Sequence, residues 1–403
     1  MLSLEEARAA IVSRIRSCTG AEDVPLRQAL GRFVAAELCA RVDNPAFTNS
    51  AMDGYALALG DLAAAQSRLP LEGESRCGSP PAVLRPGTTM RIFTGAPLPQ
   101  GADAVVMQED VRIEDGKVLF PGSVQPEQNV RRRAEDFRAG DQLYVPGRRL
   151  TGYDLALLSA AGFDQVSVRP RARALVVATG DELVAPGTAL GPGQIYESNR
   201  LATLVQLEAL GVEVVDGGTV SDDVSALRAR FGASAGYDFV VTSGGVSVGD
   251  HDLVRKVFSE IGEIDLWKVK IKPGKPLAFG HLGERGHFFA LPGNPVSSLV
   301  TFKLFVEPAV LAWNGVASPG MPEFHATAGN GFRRQPGRTE FVRARLRLDH
   351  EGRLIATALP GQGSHQIGAL RDTNGLIRIG EDSAGFESGD AVTVVPLGLD
   401  RLL

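Results

Sequence analysis

The pattern of hydrophobic and polar positions changes period three times along the chain. Residues 3–17 place Leu4, Ala7, Ile11, Val12 and Ile15 at helical spacing, and Ser3 with Glu6 three positions on has the form of a capping box. A second helix is expected to start near Leu26 and to end by Arg32. From residue 44 to about residue 136 the pattern turns to short strands and turns, clearest at 91–99 and 101–107, which describes a small β-rich domain. Thr151 opens a further helix through Ala161. From Ala174 to Trp313 apolar runs alternate with helical patterns. Strands are expected at 174–180, 212–216, 239–242, 267–271, 276–280 and 288–291, and helices at 199–210, 222–233, 252–261 and 296–313. Beyond residue 318 short strands return, at 325–328, 340–348, 353–359, 375–379 and 391–396, with a turn about every ten residues.

The middle stretch fixes the fold class. Strand–helix alternation with continuous apolar strands is the signature of a doubly wound, mostly parallel α/β domain, whose ligands bind beyond the C-terminal strand ends. The final stretch reads as a small β-barrel or sandwich. Three polar turns fall at strand ends of the α/β domain: Thr179-Gly180-Asp181-Glu182, Ser243-Gly244-Gly245 and Leu291-Pro292-Gly293-Asn294-Pro295. Packing alone gives no reason for three such turns on one sheet edge.

Residues 239–276 concentrate the chemistry. A strand runs into a Ser/Gly turn and then a helix, an arrangement that offers backbone N–H groups and a helix N-terminus to an anion. Only seven of the 42 basic residues are lysine, and four of them, Lys268, Lys270, Lys272 and Lys275, stand within eight positions. Strand periodicity puts Lys268, Lys270 and Lys272 on one face, with Val269 and Ile271 on the other. Such a row of charge is either solvated or grouped around an anion, and the adjoining glycine turn and carboxylates favour the anion. Asp181, Glu182, Asp222, Asp250 and Asp252 fall near the same edge, where Mg2+ could be held by one or two carboxylates together with phosphate oxygens. Asp222, Asp223 and Asp250 could equally cap helices. Arg131, Arg132 and Arg133, followed by Glu135 and Asp136, read either as a self-compensating surface or as an anion or subunit contact.

Bulk properties narrow the classes. At 403 residues the chain is expected to hold two to four domains. A net charge of −5 argues against general nucleic-acid binding. No apolar run approaches the roughly 20 residues that span a bilayer, and the acidic start lacks the form of a signal peptide. Cys18, Cys39 and Cys77 are widely spaced, which argues against disulfides or a thiolate metal site and suits a reducing cytoplasm. Neither a Walker A motif nor a GxSxG motif is present. These parts suit catalysis by positioning and charge neutralisation at a phosphate, with a metal.

With the motifs assembled, nearly the whole chain resembles the MoeA-type molybdopterin molybdenumtransferases, which include the E domain of gephyrin. The resemblance rests on Ser50-Ala51-Met52-Asp53-Gly54-Tyr55-Ala56, Ile92-Phe93-Thr94-Gly95-Ala96, residues 101–106, residues 129–136 and Thr179-Gly180-Asp181-Glu182-Leu183. It continues through residues 243–249, Ile271-Lys272-Pro273-Gly274-Lys275-Pro276, residues 291–297, residues 338–343 and Gly361-Gln362-Gly363-Ser364. It implies an α/β multidomain enzyme that takes adenylylated molybdopterin and molybdate as substrates, with Mg2+, and releases AMP. It implies four domains: an elongated discontinuous α+β one (1–44 and 137–170), a β-rich one (45–136), a MogA-like α/β one (171–317) and a C-terminal barrel (318–403).

By position, the resemblance implies that Glu182, Asp222 and Asp252 serve the Mg2+ and the pyrophosphate, and that Lys268, Lys272 and Lys275 bind anions. Lys272, Lys275, Ser297, Arg338 and Ser364 would form the molybdate site. Ser243, Gly244, Gly245 and Ser247, with Pro292, Gly293, Asn294 and Pro295, would form the substrate loops. Asp53, Thr94 and Asp136 would reach the cleft from the other protomer of a homodimer. Lys270 and Asp250 depart mildly from the family pattern. A molybdopterin adenylyltransferase and apo-molybdoenzymes are the implied partners. The competing readings are the adenylyltransferase reaction itself, against which the long N-terminal half argues, and a catalytically silent dimeric scaffold, against which the retained lysines and carboxylates argue.

Overall fold

Buried β-branched and aromatic runs from Arg173 onward build a six-stranded sheet in the order Glu213–Val220, Arg173–Thr179, Phe239–Ser243, Gly286–Leu291, Pro276–Leu282, Gly262–Lys268. The first four strands are parallel and the last two antiparallel to their neighbours. The computed structural model describes residues 1–232, 234, 236–244, 253–283 and 285–398. The chain divides into two units, Met1–Glu22 with Gly31–Ala35 and Arg169–Leu403, and Asp23–Leu30 with Ala36–Val168.

In the first unit, alternate residues of the sheet enter two separate cores, which is why its strands are apolar throughout rather than alternating. Val176, Val241 and Phe289 pack against the helices Leu4–Arg14, Asn199–Ala209 and Pro295–Trp313. Val177, Val240 and Phe288 pack against Val224–Gly232 and Leu253–Ile261, with the rings of Phe258 and Phe288 stacked. The domain is doubly wound. The order Glu213–Val220, Arg173–Thr179, Phe239–Ser243 puts a topological switch point between the last two strands, where a crevice opens. The capping box at Ser3 and Glu6 forms, with both reciprocal bonds made.

Two expectations are corrected here. The 19-residue helix Pro295–Trp313 is apolar and long enough to cross a bilayer, although no such run was expected. It is 78% buried and lies in the first core, so protein packing accounts for its composition. The strand expected at 267–271 breaks: one strand ends at Lys268 and another covers Ile271–Lys272. Between them the Val269 N–H donates to the Lys275 carbonyl (2.9 Å) and the Lys270 N–H to the Leu2 carbonyl (2.8 Å).

All five strands expected in the last stretch form. Thr339–Leu348, Leu354–Ala358, Phe324–Ala328, Ala391–Pro396 and Gly375–Ile379 pair in that order and close back on the first, a five-stranded barrel. Val342, Ala344, Ile377 and Val394 fill its core. Ile271–Lys272 joins this barrel sheet in parallel, with Lys272 opposite Glu340.

The second unit contains the β-rich sheet, in the order Ala104–Met107, Gly54–Leu57, Thr89–Ile92, Arg68–Ser75, Lys117–Leu119, Arg112–Glu114. The helix Gly152–Ala160 starts from a capping box at Thr151 and Asp154. The helix expected near Leu26 is only a 3-10 turn, Leu26–Gln28. Strand Glu22–Pro25 runs directly into it, and only three residues later Gly31 takes a left-handed φ of 74°.

Candidate active site

At the switch-point edge of the sheet lies a cleft of about 1210 Å³, contained within the first unit. Thr179, Ser243 and residues 292–295 all line it, so the three polar turns meet there. Gly244 has φ +94°, and a Cβ on it would fall 2.8 Å from Thr179 Oγ1 and 2.9 Å from the Thr179 carbonyl oxygen. Only glycine lets these two turns approach so closely. The Gly244 N–H donates to the Leu291 carbonyl (3.0 Å), so it joins the strands and is not offered to an anion. Gly245, Ser247, Asp250 and Asp252 lie outside the described residues.

Carboxylates gather on one part of the wall. Glu182 and Asp222 both line the cleft. Asp223, not Asp222, takes the capping role, accepting the Ala226 N–H at 2.9 Å. The Asp222 N–H donates to Asp181 Oδ1 (3.1 Å). Partial burial, then the charges of Asp181 and Glu182, hold the Asp222 carboxyl above the usual carboxylate range. A cation would relieve that repulsion. Among the described residues no cluster of three metal-binding side chains forms. Mg2+ asks for less, one or two carboxylate oxygens completed by water and phosphate, and Glu182 with Asp222 fits that donor set.

Cations and hydroxyls occupy the rest. Lys272, Lys275, Arg338, Ser297 and Ser364 line the same cleft. Gly274, between the two lysines, has φ +104°, and a Cβ there would stand 2.4 Å from Thr301 Oγ1. Lys272 Nζ lies 2.9 Å from Glu340 Oε1, and Arg338 donates through Nη1 to the Ile271 carbonyl at 3.3 Å. The helix carrying Ser297 begins at Pro295, and its Val296 N–H donates to the Ser364 carbonyl (3.1 Å), which ties the barrel loop to the helix start. Val269 and Ile271 are fully buried while Lys268 and Lys272 are exposed, so the expected two faces survive the strand break. Lys268 stands opposite Pro276 at the sheet edge and is not among the lining residues. Lys270 pairs with Glu381 at 3.4 Å.

Asp53, Thr94 and Asp136 belong to the second unit. The Thr94 N–H donates to Asp53 Oδ1 at 2.7 Å, and this bond holds the Asp53 carboxyl below its usual range. Asp136 accepts from Asn44 Nδ2 at 2.8 Å. The arginine run is largely compensated: Arg132 pairs with Glu127 and Arg133 with Asp43.

The sequence reading overlooked part of the lining. Tyr196, Glu197 and Asn199 line the cleft, and Asn199 Nδ2 holds the Gly293 carbonyl at 2.7 Å. The Arg200 N–H is satisfied by buried Glu197 (2.5 Å). Ile195 and Tyr196, large apolar residues exposed beside a Gly/Pro turn, were the available signal. Gln362 and His365 also line the cleft. The Gln362 side-chain amide is fixed by the backbone of Arg343, accepting its N–H (2.9 Å) and donating to its carbonyl (3.0 Å).

Fold and cleft together define an α/β enzyme with carboxylates on one wall of a crevice and cations and hydroxyls on the other. Three family models match the chain: "MoeA N-terminal region (domain I and II)" over residues 2–162, "Probable molybdopterin binding domain" over 175–312 and "MoeA C-terminal region (domain IV)" over 325–397. The molybdopterin molybdenumtransferase of Haemophilus influenzae is 38% identical over 98% of both chains. Molybdopterin molybdenumtransferase 2 of Mycobacterium tuberculosis is 35% identical over 98% of this chain and 99% of its own. A crystal structure of the molybdopterin biosynthesis moeA protein of Pyrococcus horikoshii superimposes with a TM-score of 0.82, at 32% identity and 99% coverage of each chain. A further crystal structure, of the molybdopterin biosynthesis moeA protein of Pyrococcus horikoshii OT3, gives 0.84 at 28% identity, covering 98% of this chain and 100% of the other. The chain belongs to the molybdopterin molybdenumtransferase family and is a transferase.

Proposed function

We propose that this transferase inserts molybdate into adenylylated molybdopterin, with Mg2+-dependent release of AMP, to yield the molybdenum cofactor. The observation that carries this reading is the pairing, in one cleft, of the carboxylates Glu182 and Asp222 with the cations Lys272, Lys275 and Arg338 and the hydroxyls Ser297 and Ser364. A phosphoanhydride and a tetrahedral oxyanion need those two environments side by side. Glu182, Asp222 and Asp252 would hold Mg2+, which when bound neutralises charge on the pyrophosphate. Ser243, Gly244, Gly245, Ser247 and residues 292–295 would orient the phosphate and pterin. Lys272, Lys275, Ser297, Arg338 and Ser364 would hold the metal oxyanion against the dithiolene. Lys268 would add long-range attraction at the rim.

The working form in this reading is a homodimer in the cytoplasm, with Asp53, Thr94 and Asp136 acting from the partner protomer. The four domains fall at 1–44 with 137–170, 45–136, 171–317 and 318–403. A molybdopterin adenylyltransferase supplies the substrate and apo-molybdoenzymes take the product.

Purified protein incubated with adenylylated molybdopterin, Mg2+ and molybdate is expected to release AMP and to activate an apo-molybdoenzyme. Failure of both readouts sinks the proposal. Lys275→Ala is expected to abolish activation without altering folding. For the dimer, co-expression of Asp53→Ala chains with Asp222→Ala chains should restore part of the activity; no recovery would place Asp53 outside a shared site.

A further inference from the structure

Lys272 reaches the cleft already paired. Its partner Glu340 is only 3% exposed, although it sits two residues from Arg338 on the barrel strand Thr339–Leu348. Parallel pairing sets Lys272 directly opposite Glu340, and Oε1 meets the ammonium at 2.9 Å. The other oxygen, Oε2, has no hydrogen-bond partner among the described residues and faces Arg334 Nη1 at 3.7 Å. The Arg334 side chain is itself 3% exposed and is anchored by backbone carbonyls, at Ser383 (2.9 Å), Glu381 (3.3 Å), Gly380 and Arg338. The carboxylate is therefore faced from behind by an anchored cation and presents its other oxygen to the partly exposed lysine.

A buried carboxylate is costly unless it has a task or full compensation. We propose that Glu340 is a positioning residue for the oxyanion subsite. It fixes the Lys272 ammonium at one point of the cleft wall. The lysine tail is thereby ordered before the anion arrives. The inference rests on the reading of this wall as the molybdate subsite.

The test is a double-mutant cycle between Glu340→Gln, which keeps shape and removes charge, and Lys272→Ala. Molybdate affinity is read by calorimetry, and KM and kcat by AMP release. Glu340→Gln is expected to weaken molybdate binding and raise its KM about tenfold, the loss typical of one charge-assisted bond. At saturating molybdate, kcat should stay within about twofold, because the reacting atoms are untouched. In the Lys272→Ala background the same change should move the affinity less than about twofold. A full tenfold loss in that background, or unchanged affinity in a folded Glu340→Gln protein, overturns the proposal. Should Glu340→Gln fail to fold, Glu340→Asp, which keeps the charge and shortens the reach, goes through the same cycle with the same criteria. Wild-type protein that binds no molybdate removes the subsite reading and this inference with it. Wild-type binding with an additive cycle removes the inference alone.

Discussion

Replacing Gly274 by alanine tests whether the lysine loop is held where the structure puts it. Two costs add. A residue with a Cβ at φ +104° pays about 1–2 kcal/mol for the left-handed backbone. The new methyl would overlap Thr301 Oγ1, 2.4 Å away in a fully buried helix turn, and such overpacking costs about 1–3 kcal/mol. The expected loss is roughly 2–5 kcal/mol in total. The two parts can be separated, because Thr301 Oγ1 has no hydrogen-bond partner among the described residues. Thr301→Ala therefore removes an unsatisfied hydroxyl, a gain of about 1–3 kcal/mol, against the loss of a buried methyl near 1 kcal/mol, and should itself change stability little. In that background Gly274→Ala should cost only the backbone part, about 1–2 kcal/mol. The chain's two tryptophans, Trp267 and Trp313, both lie in the first unit, so their fluorescence during denaturant unfolding reports that unit alone. Wild-type stability in Gly274→Ala, or an undiminished loss in the Thr301→Ala background, would refute the reasoning.

Further outcomes follow from other parts of the structure. Asp222 is held above its usual range, so its ionised form works against the fold once the pH exceeds that raised value; Asp222→Asn should raise the first unit's melting temperature at pH 7 while abolishing AMP release, and a lower melting temperature would contradict it. Mg2+ should stabilise the wild type and not this variant. His287 is buried and held neutral, its pKa brought down to about 3 by burial and then by His281 and Arg16, so its stabilisation is complete above about pH 6.5 and is lost as the pH falls toward 3; the slope of stability against pH in that window should drop by about 1.4 kcal/mol per pH unit in His287→Gln, and parallel slopes would exclude the assignment. Ser3→Ala breaks the capping box and should cost about 1 kcal/mol, with no change in molybdate KM.

The doubly wound sheet was legible because burial on both faces leaves continuous apolar runs such as Phe239-Val240-Val241. The barrel strands were legible as short apolar runs with turns about every ten residues. What depended on distant backbone was not. The interruption after Lys268 is set by Leu2 and Lys275, and no local pattern encodes it. The choice between Asp222 and Asp223 as cap turned on which carboxylate meets the Ala226 N–H, a matter of geometry rather than spacing. Glu340 sat in a recognised motif without a role until strand register placed it opposite Lys272. The contact of the Asn199 amide with the Gly293 carbonyl joins residues 94 positions apart and has no local signature.

The strand break has a wider consequence. Gly262–Lys268 is an edge of the α/β sheet, while Ile271–Lys272, a few residues on, is an edge of the barrel sheet. The backbone of Leu2 is stitched to the passage between them, donating to the Lys268 carbonyl and accepting from the Lys270 N–H. The lysines are thus carried by the seam of two folds and belong wholly to neither. A chimera that grafted a foreign barrel onto this α/β domain would keep the acidic wall and lose the register that aims Lys272, together with Arg338 and Ser364. On the proposed reading the two modules work only as a block, and the barrel strand that meets Lys272 follows it in the chain by some 70 positions.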